Sequence, residues 1–316
     1  MRRALVFALL CVLALVVLAA CSGPAAGPPE AGGPASVFES AQSAVVRYCN
    51  GQEARITEPT GVHGTVPAVV YVHGGSWVSG DYNTGGFIIN SIGPALVAQG
   101  FVVVSLNYRL GPSRHWPDQI ADVKCAIRYL RANAHRYDID PDEIGAWGQS
   151  AGGHLVALLG TAGPSAGWDI GAYSGESSGV QAVVDMAGPS DLLTLGNQGA
   201  AALVAASFIH LLGNVPRKQV GADLKRASPT TYVSAGDPPF LILYSNNDDI
   251  VSPKQSQELA WDLGAAGVPH QLAMVLHGGH SFNTKGEVPS ETAIVNRVVG
   301  FFEDILVLHL PLASGP

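Results

Sequence analysis

The chain has 316 residues, 47% of them hydrophobic and 13% charged, with 38 glycines and 21 prolines. An ordinary hydrophobic fraction excludes a disordered chain and a protein of many membrane spans, and the charge is sparse beside the roughly one quarter of an average domain. A formal net charge of -8 leaves no basic stripe to displace counterions, which excludes nucleic acid as a partner.

Arg2 and Arg3 precede an unbroken apolar run from Ala4 to Ala20. A charged start, an apolar stretch and a small-residue exit are the features of a secretory signal, expected over residues 1–20. The exit Leu18-Ala19-Ala20-Cys21 resembles a bacterial lipobox, which implies lipidation of Cys21. The Gly/Pro/Ala/Ser-rich stretch after it reads as a flexible tether over 21–42. These features predict a protein exported to the bacterial cell envelope and held to a membrane through its lipid. Cys49 and Cys125 then lie where disulfides are permitted. The sequence leaves open whether they are bonded or remain two separate buried thiols.

From residue 43 to 310 the pattern is that of one domain. Val66–His73 is an apolar, β-branched strand, followed by a helix over Gly86–Ala98 closed by Gly100 and a second strand over Phe101–Tyr108. Pro117 opens a helix in which Ile120, Val123, Ile127, Leu130 and Ala134 share one face. A short strand, Ile144–Trp147, runs into Gly148-Gln149-Ser150-Ala151-Gly152 and a helix carrying His154–Leu159. Strands at Val180–Met186, Phe240–Tyr244 and Gln271–Leu276 follow, with helices over Ser252–Ala266 and Ser290–Leu306. Strands separated by helices predict an α/β fold: a mostly parallel central sheet with helices on both faces. Residues 191–225 lack a strand pattern and are expected to form a small cap.

Gly-x-Ser-x-Gly occurs three times, around Ser150, Ser165 and Ser177. The spelling is weak in a glycine-rich chain; what gives it meaning is a strand before the serine and a helix after it. Only Ser150 has both, and the other two read as linker. His73-Gly74-Gly75-Ser76-Trp77 directly follows a strand, where glycines let backbone N–H groups approach a developing oxyanion. A serine hydroxyl needs a histidine to take its proton and a carboxylate to orient that histidine. Both are offered by loops after late strands: Asp248 or Asp249 in Ser245-Asn246-Asn247-Asp248-Asp249-Ile250-Val251, and His277 or His280 in His277-Gly278-Gly279-His280-Ser281-Phe282.

On these stretches, together with Asn107-Tyr108-Arg109-Leu110, Pro117 with Asp122, Ser228-Pro229 and Pro238-Pro239-Phe240, the chain resembles the bacterial carboxylesterases of the α/β-hydrolase superfamily. The resemblance lies near the hormone-sensitive-lipase and feruloyl/acetyl-esterase-like branches and runs from about Val66 to Phe302. It implies Ser150 as nucleophile, Asp248 rather than Asp249 as acid, and His280 rather than His277 as base. Backbone N–H groups of Gly74, Gly75, Ser76 and Ala151 would form the oxyanion hole. Two departures stand out: Ser76 replaces a third small residue, and the acid loop begins Tyr244-Ser245 instead of His-Gly. His154 and Asp122 are expected to be structural.

The implied activity is cleavage of carboxylic esters with short acyl groups, small or polysaccharide-linked, without metal or cofactor. No Cys-x-x-Cys or His-Glu-x-x-His spacing suggests a metal. A serine peptidase of the prolyl-oligopeptidase type would need a large amino-terminal propeller, which the ~40 residues before the core cannot supply. A non-catalytic binding protein on a hydrolase scaffold is the other alternative.

Overall fold

The computed structural model describes residues 41–312 apart from 87, 199–201 and 284–285. The expected signal segment, Cys21 and the tether up to residue 40 lie outside the described residues.

Eight strands form one sheet in the order β1-β2-β4-β3-β5-β6-β7-β8. They are β1 (Gln42–Arg47), β2 (Glu53–Glu58), β3 (Val66–Val72), β4 (Val102–Leu106), β5 (Ile139–Gln149), β6 (Ala182–Met186), β7 (Phe240–Ser245) and β8 (His270–Val275). From β4 to β8 every neighbouring pair is parallel, while β1 pairs with β2, and β2 with β4, in antiparallel fashion. The eight helices used below are α1 (Gly93–Ala98), α2 (Asp118–Ala132), α3 (Ala151–Thr161), α4 (Leu192–Leu195), α5 (Ala202–Leu211), α6 (Val220–Arg226), α7 (Pro253–Ala265) and α8 (Glu291–Leu306).

Parallel strands are apolar on both faces because both are covered. In β3, Ala68, Val70 and Val72 join one core with α2, α3 and α7, while Val69 and Tyr71 join the other with α1 and α8. Leu155 and Leu158 of α3 are wholly buried; truncating either to alanine would cost about 2–5 kcal/mol.

Several expectations are corrected. Gln42, expected as the last residue of the tether, is the first residue of β1. β5 starts at Ile139 rather than Ile144; the run Asp140-Pro141-Asp142-Glu143 breaks the apolar pattern, and the register shifts between Val66 and Ala68 of its partner. The helix expected over 86–98 is a π-turn, Ile88–Ile92, leading into α1. Ala134 lies beyond the end of α2, in the 3-10 turn Ala134–Arg136. α2 is also buried on its polar side: Lys124 and Arg128 both pair with Asp169, and Arg128 donates to the carbonyls of Ile170 and Ala172. The Gly/Ser-rich loop after α3 is fixed to α2 by these contacts.

Residues 191–225 contain α4, α5 and most of α6, and no strand among the described residues. The Asp191 side chain caps α4 by accepting from the Leu193 N–H at 2.8 Å. Phe208 of α5 packs its ring against Trp77, Trp116 and His154, with centroids 4.8, 5.2 and 5.6 Å away.

Candidate active site

Ser150 stands between the last residue of β5 and the first of α3, with φ 57° and ψ −121°. A residue with a side chain avoids that region unless its surroundings impose it. Two glycines make the turn feasible. A Cβ on Gly148 would lie 2.5 Å from the Gly152 carbonyl, and one on Gly152 would lie 1.9 Å from the Val72 carbonyl oxygen. Strand end and helix start therefore touch backbone to backbone. The Ser150 N–H donates to the Met186 carbonyl at 2.9 Å, which ties the turn to β6. Ala151 opens the helix, where backbone N–H groups lack intrahelical partners. The rival serines have no such setting: Ser165 sits in the 3-10 turn Pro164–Ala166, and Ser177 lies in a loop with its hydroxyl accepting from the Gly179 N–H.

The loop after β3 passes directly beside this turn. A Cβ on Gly74 would meet the Gln149 carbonyl oxygen at 3.0 Å and the Ser150 Cβ at 3.4 Å. Gly75 has φ 112°, and a Cβ there would be 2.2 Å from the Ser79 carbonyl oxygen. Ser76 and Trp77 follow with φ 52° and 61°, so the chain coils back on itself. The loop is braced from below. His73 stacks on Tyr108 with ring centroids 4.3 Å apart, its Nδ1–H donates to the Gly74 carbonyl, and the Tyr108 hydroxyl donates to the His73 carbonyl.

His154 completes the bracing. The Trp77 indole donates to His154 Nδ1 at 3.2 Å, and His154 Nε2–H donates to the Ala227 carbonyl at 2.8 Å. This imidazole is wholly buried and neutral, its pKa pushed down to about 4 by that burial. It joins the glycine loop, α3 and the residue after α6.

Asp248 and His280 meet across the ends of β7 and β8. His280 Nδ1–H donates to Asp248 Oδ2 at 2.8 Å, while Asp248 Oδ1 accepts from the N–H groups of Ile250 and Val251, each at 2.9 Å. Their side chains are 1% and 13% exposed, respectively. With Nδ1 engaged, Nε2 is the ring nitrogen left to exchange a proton. Asp249 and His277 are both exposed.

Three residues outside the sequence expectations organise this pair. Asn246 Oδ1 accepts from the His277 N–H, and Asn247 Oδ1 accepts from the Gly279 N–H and the Ser245 hydroxyl. The acid loop thus clasps the histidine loop through its own side chains. Gln149 Nε2 donates to the His280 carbonyl at 2.7 Å, joining the histidine loop to the residue before Ser150. Their signal in the sequence is adjacency alone: each neighbours a residue already singled out.

Cys49 and Cys125 are joined in a disulfide, with Cα atoms 6.2 Å apart and a sequence separation of 76. Beside it, Asp122 is wholly buried and takes Arg109 bidentately, at 2.7 and 2.8 Å, together with the Asn50 amide at 2.9 Å. Disulfide and ion pair lock the β1–β2 turn and the loop after β4 onto α2. Ser190 is also buried, its N–H donating to Gln255 Oε1 and its hydroxyl to the Gln255 carbonyl.

A serine on a strained turn, a carboxylate-bound imidazole and a glycine-lined strip of backbone are the components that acyl transfer requires. Comparison with known proteins points the same way. Esterase LipC of Mycobacterium tuberculosis is 31% identical over 222 residues, covering 69% of this chain and 53% of that esterase. Esterase LipQ of the same organism is 31% identical over 261 residues, covering 78% and 60%. This chain therefore spans little more than half the length of these relatives. Among solved structures, a truncated carbohydrate esterase from gut microbiota superposes with a TM-score of 0.70 at 30% identity, covering 86% of this chain and 99% of that one. The BD-FAE family model matches residues 55–263, from β2 into α7. With its sheet order, its strand-to-helix serine turn and this match, the chain is an α/β-hydrolase-fold protein and belongs to the BD-FAE family.

Proposed function

We propose that this protein hydrolyses carboxylic esters through an acyl-enzyme on Ser150. The observation that carries the reading is the convergence at one turn: Ser150 at φ 57° beside Gly74, with the Asp248–His280 pair tied to the adjacent Gln149. His280 Nε2 takes the Ser150 hydroxyl proton as Oγ bonds to the ester carbonyl carbon. The imidazolium is stabilised by Asp248 and returns the proton to the departing alcohol. Water then attacks the acyl-serine, losing its proton to His280, and the carboxylic acid leaves as Ser150 regains its hydrogen. The carbonyl oxygen, negative in both tetrahedral intermediates, is held by the N–H groups of Ala151 and Gly75, assisted by those of Gly74 or Ser76.

The likeness to a carbohydrate esterase supports short acyl groups on sugars as substrates, with residues 191–225 as a small cap over the site. Exported and held by a lipid on Cys21, the enzyme would work at the cell envelope. Arg2, Arg3, the apolar run to Ala20 and the Cys49–Cys125 disulfide support that location.

The test is hydrolysis of p-nitrophenyl esters from acetyl to palmitoyl by the full chain in detergent, with Ser150→Ala as control. The expected result is activity that falls steeply with acyl length and vanishes in the control. Unchanged turnover by Ser150→Ala refutes the assignment. For the anchor, metabolic labelling with a clickable palmitate should be lost in Cys21→Ser; labelling that persists refutes it.

A further inference from the structure

Trp261, on α7, is 78% exposed, although tryptophan is highly buried on average. It lines a shallow concavity of about 430 Å³ with Asp191, Thr230, Lys254, Glu258 and Asp262. Lys254, Glu258 and Asp262 repeat at four-residue spacing along one side of the helix, while Leu259 and Leu263 are buried against the core.

The acceptors around the indole are held in place. Gln255, wholly buried beneath them, accepts from the Ser190 and Asp191 N–H groups at 2.8 Å each and donates to Glu258 Oε2 at 3.1 Å and Thr194 Oγ1 at 3.0 Å. Asp191 is fixed by capping α4, and Glu258 also accepts from the Thr194 hydroxyl. The concavity is placed by the same framework as Ser150. Asp191 lies just past the end of β6, whose Met186 carbonyl receives the Ser150 N–H, and α7 begins directly after the loop carrying Asp248.

We propose that Trp261, flanked by Asp191, Glu258 and Asp262, is a sugar-binding subsite that holds the glycan chain from which an ester is cleaved at Ser150. The inference rests on the ester-hydrolase reading and names the part of the substrate that lies beyond the ester. A pyranose ring presents polarised C–H bonds on one face, which suit the electron-rich face of an indole, and a rim of hydroxyls, which suit carboxylate acceptors. Other occupants fit less well. Three carboxylates repel an anionic lipid surface. A patch built on one indole is far smaller than the roughly 800 Å² per partner of a stable protein interface. A cation would meet Lys254.

The experiment compares the wild-type full chain with Trp261→Ala and Trp261→Phe on two substrates: p-nitrophenyl acetate, and acetylated xylohexaose or acetylated chitohexaose. The expected result for Trp261→Ala is a KM raised roughly three- to tenfold on an acetylated hexasaccharide, with p-nitrophenyl acetate turnover unchanged, and partial recovery in Trp261→Phe. Binding is read separately, by quenching of indole fluorescence in Ser150→Ala on adding unacetylated xylohexaose or chitohexaose. Equal KM values for wild type and Trp261→Ala on both hexasaccharides overturn the subsite, as does an equal loss on p-nitrophenyl acetate. Quenching by tetramethylammonium or by phosphatidylglycerol vesicles, with none by either sugar, overturns it as well. If the wild type cleaves no ester at all, the hydrolase reading fails instead, and loss of the sugar-induced quench in Ser150→Ala/Trp261→Ala still decides whether sugar binds at Trp261.

Discussion

The side-chain amide of Gln149 holds the main-chain carbonyl of His280 at 2.7 Å, so the residue before the serine and the histidine loop share a hydrogen bond across 131 positions of sequence. Gln149→Met keeps the shape and removes the donor. The His280 ring is then free to drift from Ser150, and kcat on p-nitrophenyl acetate should fall about tenfold or more with KM little changed, the loss expected for one hydrogen bond. Thermal unfolding checks that the fold is intact: a large drop in Tm would mean the bond is structural instead.

The two neighbouring aspartates should separate sharply. Asp248→Asn leaves a side chain that no longer fixes the imidazole tautomer or balances its charge, and kcat should fall by roughly 10³–10⁴-fold. Asp249 is exposed, so Asp249→Asn should stay within about twofold of wild type. Steady-state kinetics on one short-chain ester decides between them. A severe loss in Asp249→Asn with an active Asp248→Asn would reverse the assignment.

The Cys49–Cys125 bond closes a loop of 76 positions, for which chain entropy gives a stabilisation of roughly 4 kcal/mol. The double variant Cys49→Ala/Cys125→Ala avoids leaving one buried thiol unpaired. Its Tm should fall by on the order of 10 °C, and dithiothreitol should lower the wild-type Tm while leaving the double variant unmoved. Calorimetry with and without reductant makes the comparison.

Two buried groups should tilt stability against pH in opposite directions. Burial depresses His154 to about 4, so the unfolded chain binds its proton first, and stability is lost as pH falls from the unfolded value near 6.5 toward 4. Asp185, on β6 against Gly153 and Gly188, is raised by burial to about 7 despite accepting from the Gly188 N–H. The folded chain binds that proton first, so its contribution is full below about 4 and is lost as pH rises to 7. In urea titrations, the advantage of wild type over His154→Gln should narrow by a few kcal/mol from pH 6.5 to 4. Its advantage over Asp185→Asn should narrow from pH 4 to 7. Parallel curves for either variant would mean that the group titrates as it does in the unfolded chain.

What the sequence disclosed follows from which forces are local. β3, β4, β6 and β7 are apolar runs because both faces of a parallel sheet are buried, and glycine at 148 and 152 marks a turn with no room for a Cβ. β1 was illegible because five of its six residues are exposed, leaving almost no alternation. The first half of β5 was hidden by its acidic residues. The preference for Asp248 and His280 over their neighbours came from family likeness, since spacing treats Asp248 and Asp249 alike; the distance that separates them exists only in the fold. The Asn246 and Asn247 clasp, Gln149 and the disulfide are tertiary contacts between segments that no sequence period connects.

The aromatic contacts of Phe208 with Trp77, Trp116 and His154 bear on how substrate arrives. α5 is anchored to the loop that follows Gly75, so swinging it away would expose Phe208, Leu211 and the wholly buried Trp77 together. A lipase whose lid lifts at an oil surface gains activity when its substrate passes from solution to emulsion. Here the apolar underside of α5 is already committed to the body of the protein. Rates on a short-chain ester should therefore saturate smoothly in solution, with no jump at the solubility limit: the kinetic signature of an esterase without interfacial activation.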